Sequence, residues 1–362
     1  MAKIRVLVVE DSITVRARLV EVLNQDPAIE VVAEVGDGKQ AIERCLELRP
    51  DVVTLDMMLP VMSGFGATEY IMAHCPTPIL IVSSSINRGE LFRTYEALAA
   101  GAVDVLEKPT GHEAAGVWES RFLQMVKLVS RIKVITHLRG RLRYGTPLLG
   151  SEPARVSALP LGTPTPGAIT TIAIGASTGG PAAIVDVLRS LPPDFPLPIL
   201  LVLHIGDPFG GAFADWLDGR TGRRVAFAVD GEPLRAVGGR VIMAPPNRHL
   251  VVRQGRLHLT HDGERHSCRP SVDVLFESVA RELGSSIAAC LLTGMGRDGA
   301  AGLLDIRNAG GFTIAQDEAT SVVYGMPREA ALLRAALQVL PLGEIGPTLV
   351  RLVAGRREGR SA

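Results

Sequence analysis

The chain repeats one pattern in two separate stretches: a short apolar run, then an amphipathic segment of helical period. Within residues 1–125 the apolar runs fall at 4–9, 30–35, 52–55, 79–82 and 103–106, with helical patterns at 14–24, 39–48 and 90–100. Strands that alternate with helices build βαβ units, so the sheet is parallel and right-handed crossovers lay helices on both faces. A longer helical pattern spans 118–138. The alternation resumes at 169–174 and continues through runs at 198–203, 224–229, 240–243 and 287–292. Segment 251–259, centred on Gln254-Gly255, predicts one antiparallel hairpin decorating the second sheet. Between the two stretches, 139–170 carries Pro147, Pro153, Pro160, Pro164 and Pro166 with little periodicity, the composition of a linker. The expected layout is an α/β domain at 1–125, a helical and Pro/Gly-rich linker at 126–168, a second α/β domain at 169–355 and a polar tail at 356–362. No repeat of the kind that builds solenoids or propellers is found.

Composition narrows the function classes. Of 362 residues 47% are hydrophobic, enough for a core in each domain, and only 4% are aromatic, so those cores are aliphatic. Lys plus Arg equals Asp plus Glu at 38 each, which leaves no electrostatic footprint for nucleic acid or an anionic membrane. Cys45, Cys75, Cys268 and Cys290 form no C-x-x-C pair and read as packed thiols in a reducing compartment. The run 4–9 is too short for a signal-peptide core and Glu10-Asp11 follows it. No apolar stretch approaches the ~20 residues of a membrane span. A cytoplasmic protein without membrane insertion is expected.

In an open α/β sheet, ligands gather beyond the carboxyl ends of the strands. Glu10 and Asp11 follow the first apolar run and Asp56 the third. Clustered carboxylates repel unless a cation joins them, and an all-oxygen set suits Mg²⁺. Ser83 and Lys108 follow the fourth and fifth runs and offer a hydroxyl and a cation to an anion there. The set suits transient aspartyl phosphate chemistry. Taken singly, Glu10-Asp11 reads as a helix cap, Asp56 as a turn residue and Lys108-Pro109 as a loop. The segments Val8-Val9-Glu10-Asp11-Ser12, Leu55-Asp56-Met57-Met58-Leu59-Pro60, Ile81-Val82-Ser83-Ser84 and Glu107-Lys108-Pro109 together resemble a response-regulator receiver domain. That resemblance implies a flavodoxin-like five-stranded parallel sheet. It implies Asp56 as phosphoacceptor, Glu10, Asp11 and Asp56 as Mg²⁺ ligands, and Ser83 and Lys108 as phosphate contacts. Three positions depart from the pattern: Glu10 where Asp is commoner, Ser63 where Asp is usual, and Val105 where many receivers carry an aromatic switch residue.

The second half offers a hydroxyl, an imidazole and a carboxylate, each just past a predicted strand. Gly175-Ala176-Ser177-Thr178-Gly179-Gly180 contains G-x-S-x-G between an apolar run and a helical pattern, which suits an exposed nucleophile with backbone N–H groups beside it. Such a turn alone is equally a phosphate cradle or a tight turn. His204 ends run 198–203, and Asp298 lies in Thr293-Gly294-Met295-Gly296-Arg297-Asp298-Gly299 beyond run 287–292. In a triad Ser177 attacks, His204 takes its proton and Asp298 fixes the imidazole. The order Ser–His–Asp differs from the Ser–Asp/Glu–His order of α/β-hydrolases.

These segments, with Arg269-Pro270-Ser271-Val272-Asp273-Val274-Leu275-Phe276 and 315–327, resemble the catalytic domain of the chemotaxis protein-glutamate methylesterases, the CheB family. The resemblance implies a doubly wound α/β domain with Ser177, His204 and Asp298 as triad. It also implies the backbone N–H groups of Thr178 and Met295 as oxyanion donors. The implied reaction is hydrolysis of glutamate γ-methyl esters, with glutamine deamidation in part of the family, and no cofactor for the ester chemistry. The implied partners are cytoplasmic helices of methyl-accepting chemoreceptors and a chemotaxis-type histidine kinase. His204-Ile205-Gly206 stands where the family usually has His-Met-Pro.

His249 could line the substrate groove or make a loop hydrogen bond. His258, His261 and His266 lack the partners of a tetrahedral metal site. Competing functions are a nucleotide-binding regulator, a DNA-binding regulator and a non-catalytic docking protein. The first lacks a Walker lysine-serine and a complete G-x-G-x-x-G, and the second lacks a helix-turn-helix unit and a basic face.

Overall fold

The computed structural model describes residues 2–84, 87–109, 114, 116–132, 134, 168–206 and 209–358. The first domain runs β1 (Ile4–Val9), α1 (Ile13–Asn24), β2 (Ile29–Val35), α2 (Gly38–Leu48), β3 (Val52–Leu55), α3 (Gly64–His74), β4 (Ile79–Ser83), α4 (Arg88–Ala99), β5 (Asp104–Glu107) and α5 (Val117–Val129). Its parallel sheet has the order β2-β1-β3-β4-β5. The two-residue period of a strand explains the layering. Val6 and Val8 meet Leu19, Val22, Phe122 and Val126 on one face, while Leu7 and Val9 meet Ile42, Val53 and Ile71 on the other. The helix expected over 118–138 ends at Val129, where the Ser130 N–H bonds back into the last turn. Most of the expected linker, and the tail after 358, lie outside the described residues.

The second domain begins with β6 (Thr171–Ala176), α6 (Gly180–Ser190), β7 (Ile199–Leu203), α7 (Phe213–Thr221), β8 (Val225–Phe227) and β9 (Val241–Met243). The hairpin β10 (His249–Arg253) and β11 (Arg256–Thr260) follows. Then come α8 (Val272–Leu283), β12 (Ile287–Leu291), α9 (Ala300–Asn308), β13 (Phe312–Gln316), α10 (Met326–Leu332), β14 (Gln338–Leu340) and α11 (Leu342–Glu358). Seven parallel strands lie in the order β14-β13-β12-β6-β7-β9-β8. The chain leaves β6 toward β7 and later returns to its other side as β12, so the order reverses at β6. That switch point is where such sheets open a crevice. The hairpin turns through Gln254 and Gly255, both at positive φ, as a two-residue turn requires. The expected antiparallel hairpin is present beside the parallel sheet, and among the described strands it pairs only with itself.

The two domains share an apolar layer. Tyr95 on α4 packs edge-on against Phe213 of α7, with ring centroids 5.3 Å apart, and against Trp216 at 5.5 Å. The Tyr95 hydroxyl donates to the Phe209 carbonyl, and Arg88 pairs with Asp215. Glu96 accepts from the Trp216 indole at 3.0 Å and pairs with Arg220 at 3.2 Å. Among the described residues no helix is long and apolar enough to cross a membrane.

Candidate functional site

Ser177 and His204 each stand one residue beyond a registered pair of neighbouring strands, Ala176 of β6 opposite Leu203 of β7. The ladder continues through the His204 N–H, which donates to the Ala176 carbonyl at 3.0 Å. On the other side of β6, the Ser177 N–H donates to Thr293 O at 3.0 Å. Adjacent strands lie about 4.8 Å apart, so the three chain ends sit side by side. Gly179 allows the sharp exit from β6, with φ +76 and Val322 packed where a Cβ would stand. Gly294 allows the loop after β12 to lie on Ser177: a Cβ there would meet Ser177 Cβ at 2.8 Å and Met326 Sδ at 2.3 Å.

Asp298 reaches across to His204, its Oδ2 lying 2.8 Å from Nε2. The carboxylate is 2% exposed and is itself caught at the start of α8. It accepts from Ser271 Oγ at 2.7 Å, Val272 N–H at 2.7 Å and Asp273 N–H at 3.1 Å. Burial pushes the Asp298 carboxyl upward, but the His204 hydrogen bond and charge and the α8 donors overcome it, and its pKa is lowered. Burial likewise pushes the His204 imidazole down. The Asp298 hydrogen bond and then Cys268 outweigh burial, and the pKa rises to about 9.

With Nε2 committed to Asp298, the other ring nitrogen, Nδ1, has the Cys268 thiol as its hydrogen-bond partner, with Sγ 3.6 Å away. Among the described residues the half-buried Ser177 hydroxyl makes no hydrogen bond. The Thr178 and Met295 N–H groups donate to no protein acceptor among the described residues and remain available to an oxyanion. Behind them, Thr293 Oγ1 donates to Thr178 O at 3.0 Å and Gln316 Oε1 accepts from Thr293 N–H at 2.8 Å. His249 is fully buried, with Nε2 3.1 Å from Gly263 O and Nδ1 accepting from Ser271 N–H at 3.1 Å. It therefore takes the loop hydrogen-bond role and does not line the groove. Ser271, Asp273, Thr293, Gln316 and Cys268 escape a reading of the sequence for chemistry. Only Ser271 leaves a signal, an N-cap hydroxyl before an amphipathic run.

In the first domain Glu10, Asp11 and Asp56 bring carboxylate oxygens within 4.8 Å of one another. Lys108 Nζ lies 2.8 Å from Glu10 Oε2 and 2.9 Å from Asp56 Oδ2. Burial first, and Asp56 second among the raising influences, push Glu10 upward against the pull of Lys108. Three carboxylates against one lysine leave net negative charge that a divalent cation fits. Ser83 Oγ sits 3.5 Å from Asp56 Oδ1 but donates at 2.9 Å to Glu90 of α4. The first domain also touches the second site: Thr178 Oγ1 donates to Asp104 Oδ2 of β5 at 3.1 Å.

Comparison with known proteins fits both halves. The CheB methylesterase model matches residues 172–349, and the response regulator receiver domain model matches residues 6–115. "Protein-glutamate methylesterase/protein-glutamine glutaminase 2" of Anaeromyxobacter dehalogenans is 44% identical over 349 residues, covering 96% of this chain and 97% of the relative. The similarly named protein of Nitrosospira multiformis is 44% identical over 362 residues, covering 98% of each chain. The chain belongs to the CheB methylesterase family. The crystal structure of the Thermotoga maritima CheB methylesterase catalytic domain, at 34% identity, covers 52% of this chain and 100% of that one, with a TM-score of 0.49. This CheB-family chain is thus a hydrolase carrying a receiver domain, and a receiver implies Mg²⁺-dependent phosphorylation. Its departures have structural roles. Ser63 caps α3 by accepting from the Gly66 N–H, and Val105 packs half-buried against the shared apolar layer.

Proposed function

We propose that this chain is a phosphorylation-activated protein-glutamate methylesterase that hydrolyses glutamate γ-methyl esters on chemoreceptor cytoplasmic helices. What carries the reading is the 2.8 Å His204–Asp298 hydrogen bond, one strand spacing from Ser177 at the switch point of the sheet. Asp298 holds the tautomer with hydrogen on Nε2, so Nδ1 is the base. Ser177 Oγ gives its proton to Nδ1 as it attacks the ester carbonyl carbon. The oxyanion meets the Thr178 and Met295 N–H groups. On collapse, Nδ1 returns the proton to the departing methoxide and methanol leaves. Water, deprotonated by Nδ1, then attacks the acyl-serine; on collapse Nδ1 returns that proton to Ser177 Oγ, and the freed glutamate acid ionises to its carboxylate. A glutamine amide passes through the same acyl-enzyme with ammonia leaving.

Asp56 accepts phosphate from a chemotaxis-type histidine kinase in the cytoplasm. Glu10, Asp11 and Asp56 would hold Mg²⁺, which would supply positive charge to the phosphoryl oxygens, and Lys108 and Ser83 would meet the phosphate. The Thr178–Asp104 bond and the Tyr95 contacts support a receiver that restrains the esterase edge until phosphorylated. Methanol release from methylated receptor fragments tests the whole reading. Wild type is expected to speed up with a small phosphodonor, and Asp56→Asn is not. Ser177→Ala is expected to lose on the order of 10⁴-fold or more. Cys268→Ala controls for a thiol nucleophile, since Cys268, His204 and Asp298 also form a chain. Full activity in Ser177→Ala overturns the serine assignment, and an unchanged rate after phosphodonor treatment overturns the regulation.

A further inference from the structure

We propose that Cys268 Sγ and His204 Nδ1 form an inhibitory binding site for a thiophilic divalent cation of the zinc class. The inference rests on the reading of His204 as base only for the word inhibitory; the site itself rests on geometry.

Ligands held tetrahedrally at about 2.3 Å for sulfur and about 2.0 Å for nitrogen lie about 3.5 Å apart. Cys268 Sγ and His204 Nδ1 are 3.6 Å apart. A ligating histidine works best when its other ring nitrogen is held by a carboxylate, which fixes the tautomer and raises the basicity of the metal-facing nitrogen. Asp298 does this at Nε2, and it is anchored by Ser271, Val272 and Asp273. The outer support of a metal site is therefore built, and Cys268, His204 and Asp298 offer ligand atoms all within 4.8 Å of one another. Cys268 is partly exposed and, with Met295, Gly296 and Arg297, lines an open cavity from which water could complete the coordination. The thiol releases one proton to solvent as the sulfur–metal bond forms, the imidazole releases a second below about pH 9 as Nδ1 takes the metal, and no electrons move. The bound cation occupies the Nδ1 lone pair that Ser177 needs, so catalysis and metal binding exclude each other.

The test uses the full chain in saturating Mg²⁺, which keeps the receiver carboxylates out of the titration. Co²⁺ reports the site by a cobalt–thiolate charge-transfer band, and Zn²⁺ reports it by inhibition of methanol release. The expected result is a band in wild type that disappears in Cys268→Ser and in His204→Ala. The zinc inhibition constant, each variant normalised to its own metal-free rate, is expected to rise at least about tenfold in Cys268→Ser. Cys268→Ala serves as the second variant, and zinc protection of Cys268 against a thiol reagent as an independent measurement. Absence of both band and protection in wild type overturns the site. A band with zinc inhibition equal in wild type and Cys268→Ser overturns the inhibitory role. A band in a protein whose esterase does not depend on His204 upholds the site while the proposed function fails.

Discussion

His204 is held by Asp298 with burial working against its charge and two neighbours working for it, and the balance lifts its pKa to about 9. A folded-state value above the ordinary 6.5 means that the charged pair stabilises the fold fully below 6.5 and that this contribution is lost as pH climbs through about 9. In the proposed mechanism catalysis runs the other way, because only the neutral ring accepts the Ser177 proton. The ester-cleavage kcat/KM is expected to rise about tenfold per pH unit and to level off near pH 9. In Asp298→Asn the limb is expected to move toward lower pH while the plateau falls on the order of 10⁴-fold. A pH–rate profile that is flat between 6 and 9 in wild type contradicts this placement of the base. At this scale the sequence points to Ser177, His204 and Asp298 because each follows an apolar run and their chemistry is complementary, and the structure joins His204 to Asp298. It hides Cys268, which reaches His204 from a loop with no periodic pattern and 64 residues away.

At the scale of elements, the amino end of α8 acts as a carboxylate clamp. Ser271 caps the helix by accepting from the Val274 N–H and donates to Asp298 Oδ1. Ser271→Ala removes a cap and a buried hydrogen bond together and is expected to cost about 1–2 kcal/mol, read from urea midpoints. It is also expected to lower kcat with little change in KM, since in the proposed mechanism Asp298 orients the base and is not a substrate contact. Gly179→Ala is expected to be at least as destabilising, because φ is +76 there and Val322 fills the space. Strand positions are legible because β3, β4, β6 and β7 are mainly apolar runs, the mark of a parallel sheet covered on both faces, whereas β5 is bounded by Asp104 and Glu107. The hairpin is legible from Gln254-Gly255, but its separation from the large sheet is not, because strand partners depend on tertiary packing.

For the whole molecule, the joining of the domains is the part least visible in one dimension. Tyr95, Phe213 and Trp216 read as ordinary core residues of two domains, yet they form one cluster across the boundary. Tyr95→Ala is expected to raise methanol release without phosphodonor several-fold and to shrink the further gain on phosphorylation. Asp104→Ala, which removes the acceptor of the Thr178 hydroxyl, is expected to act in the same direction. A basal rate unmoved by both substitutions argues against restraint through this face. Ser83 is held by Glu90, which stands one turn from the interface residues of α4. Under the proposed regulation, a phosphoryl group that draws the Ser83 hydroxyl from Glu90 acts on the helix that contacts the esterase.

The strand β5 runs between the two chemistries. Lys108 follows its last residue and Asp104 is its first, four positions apart, or roughly 13 Å of extended backbone. Under the proposed regulation, so short a span ties a displacement at Lys108 to Asp104 and the Thr178 hydroxyl it holds. Lengthening the chain between the domains should then leave the sign of the phosphate response intact, whereas a bend introduced within these four residues should mute it.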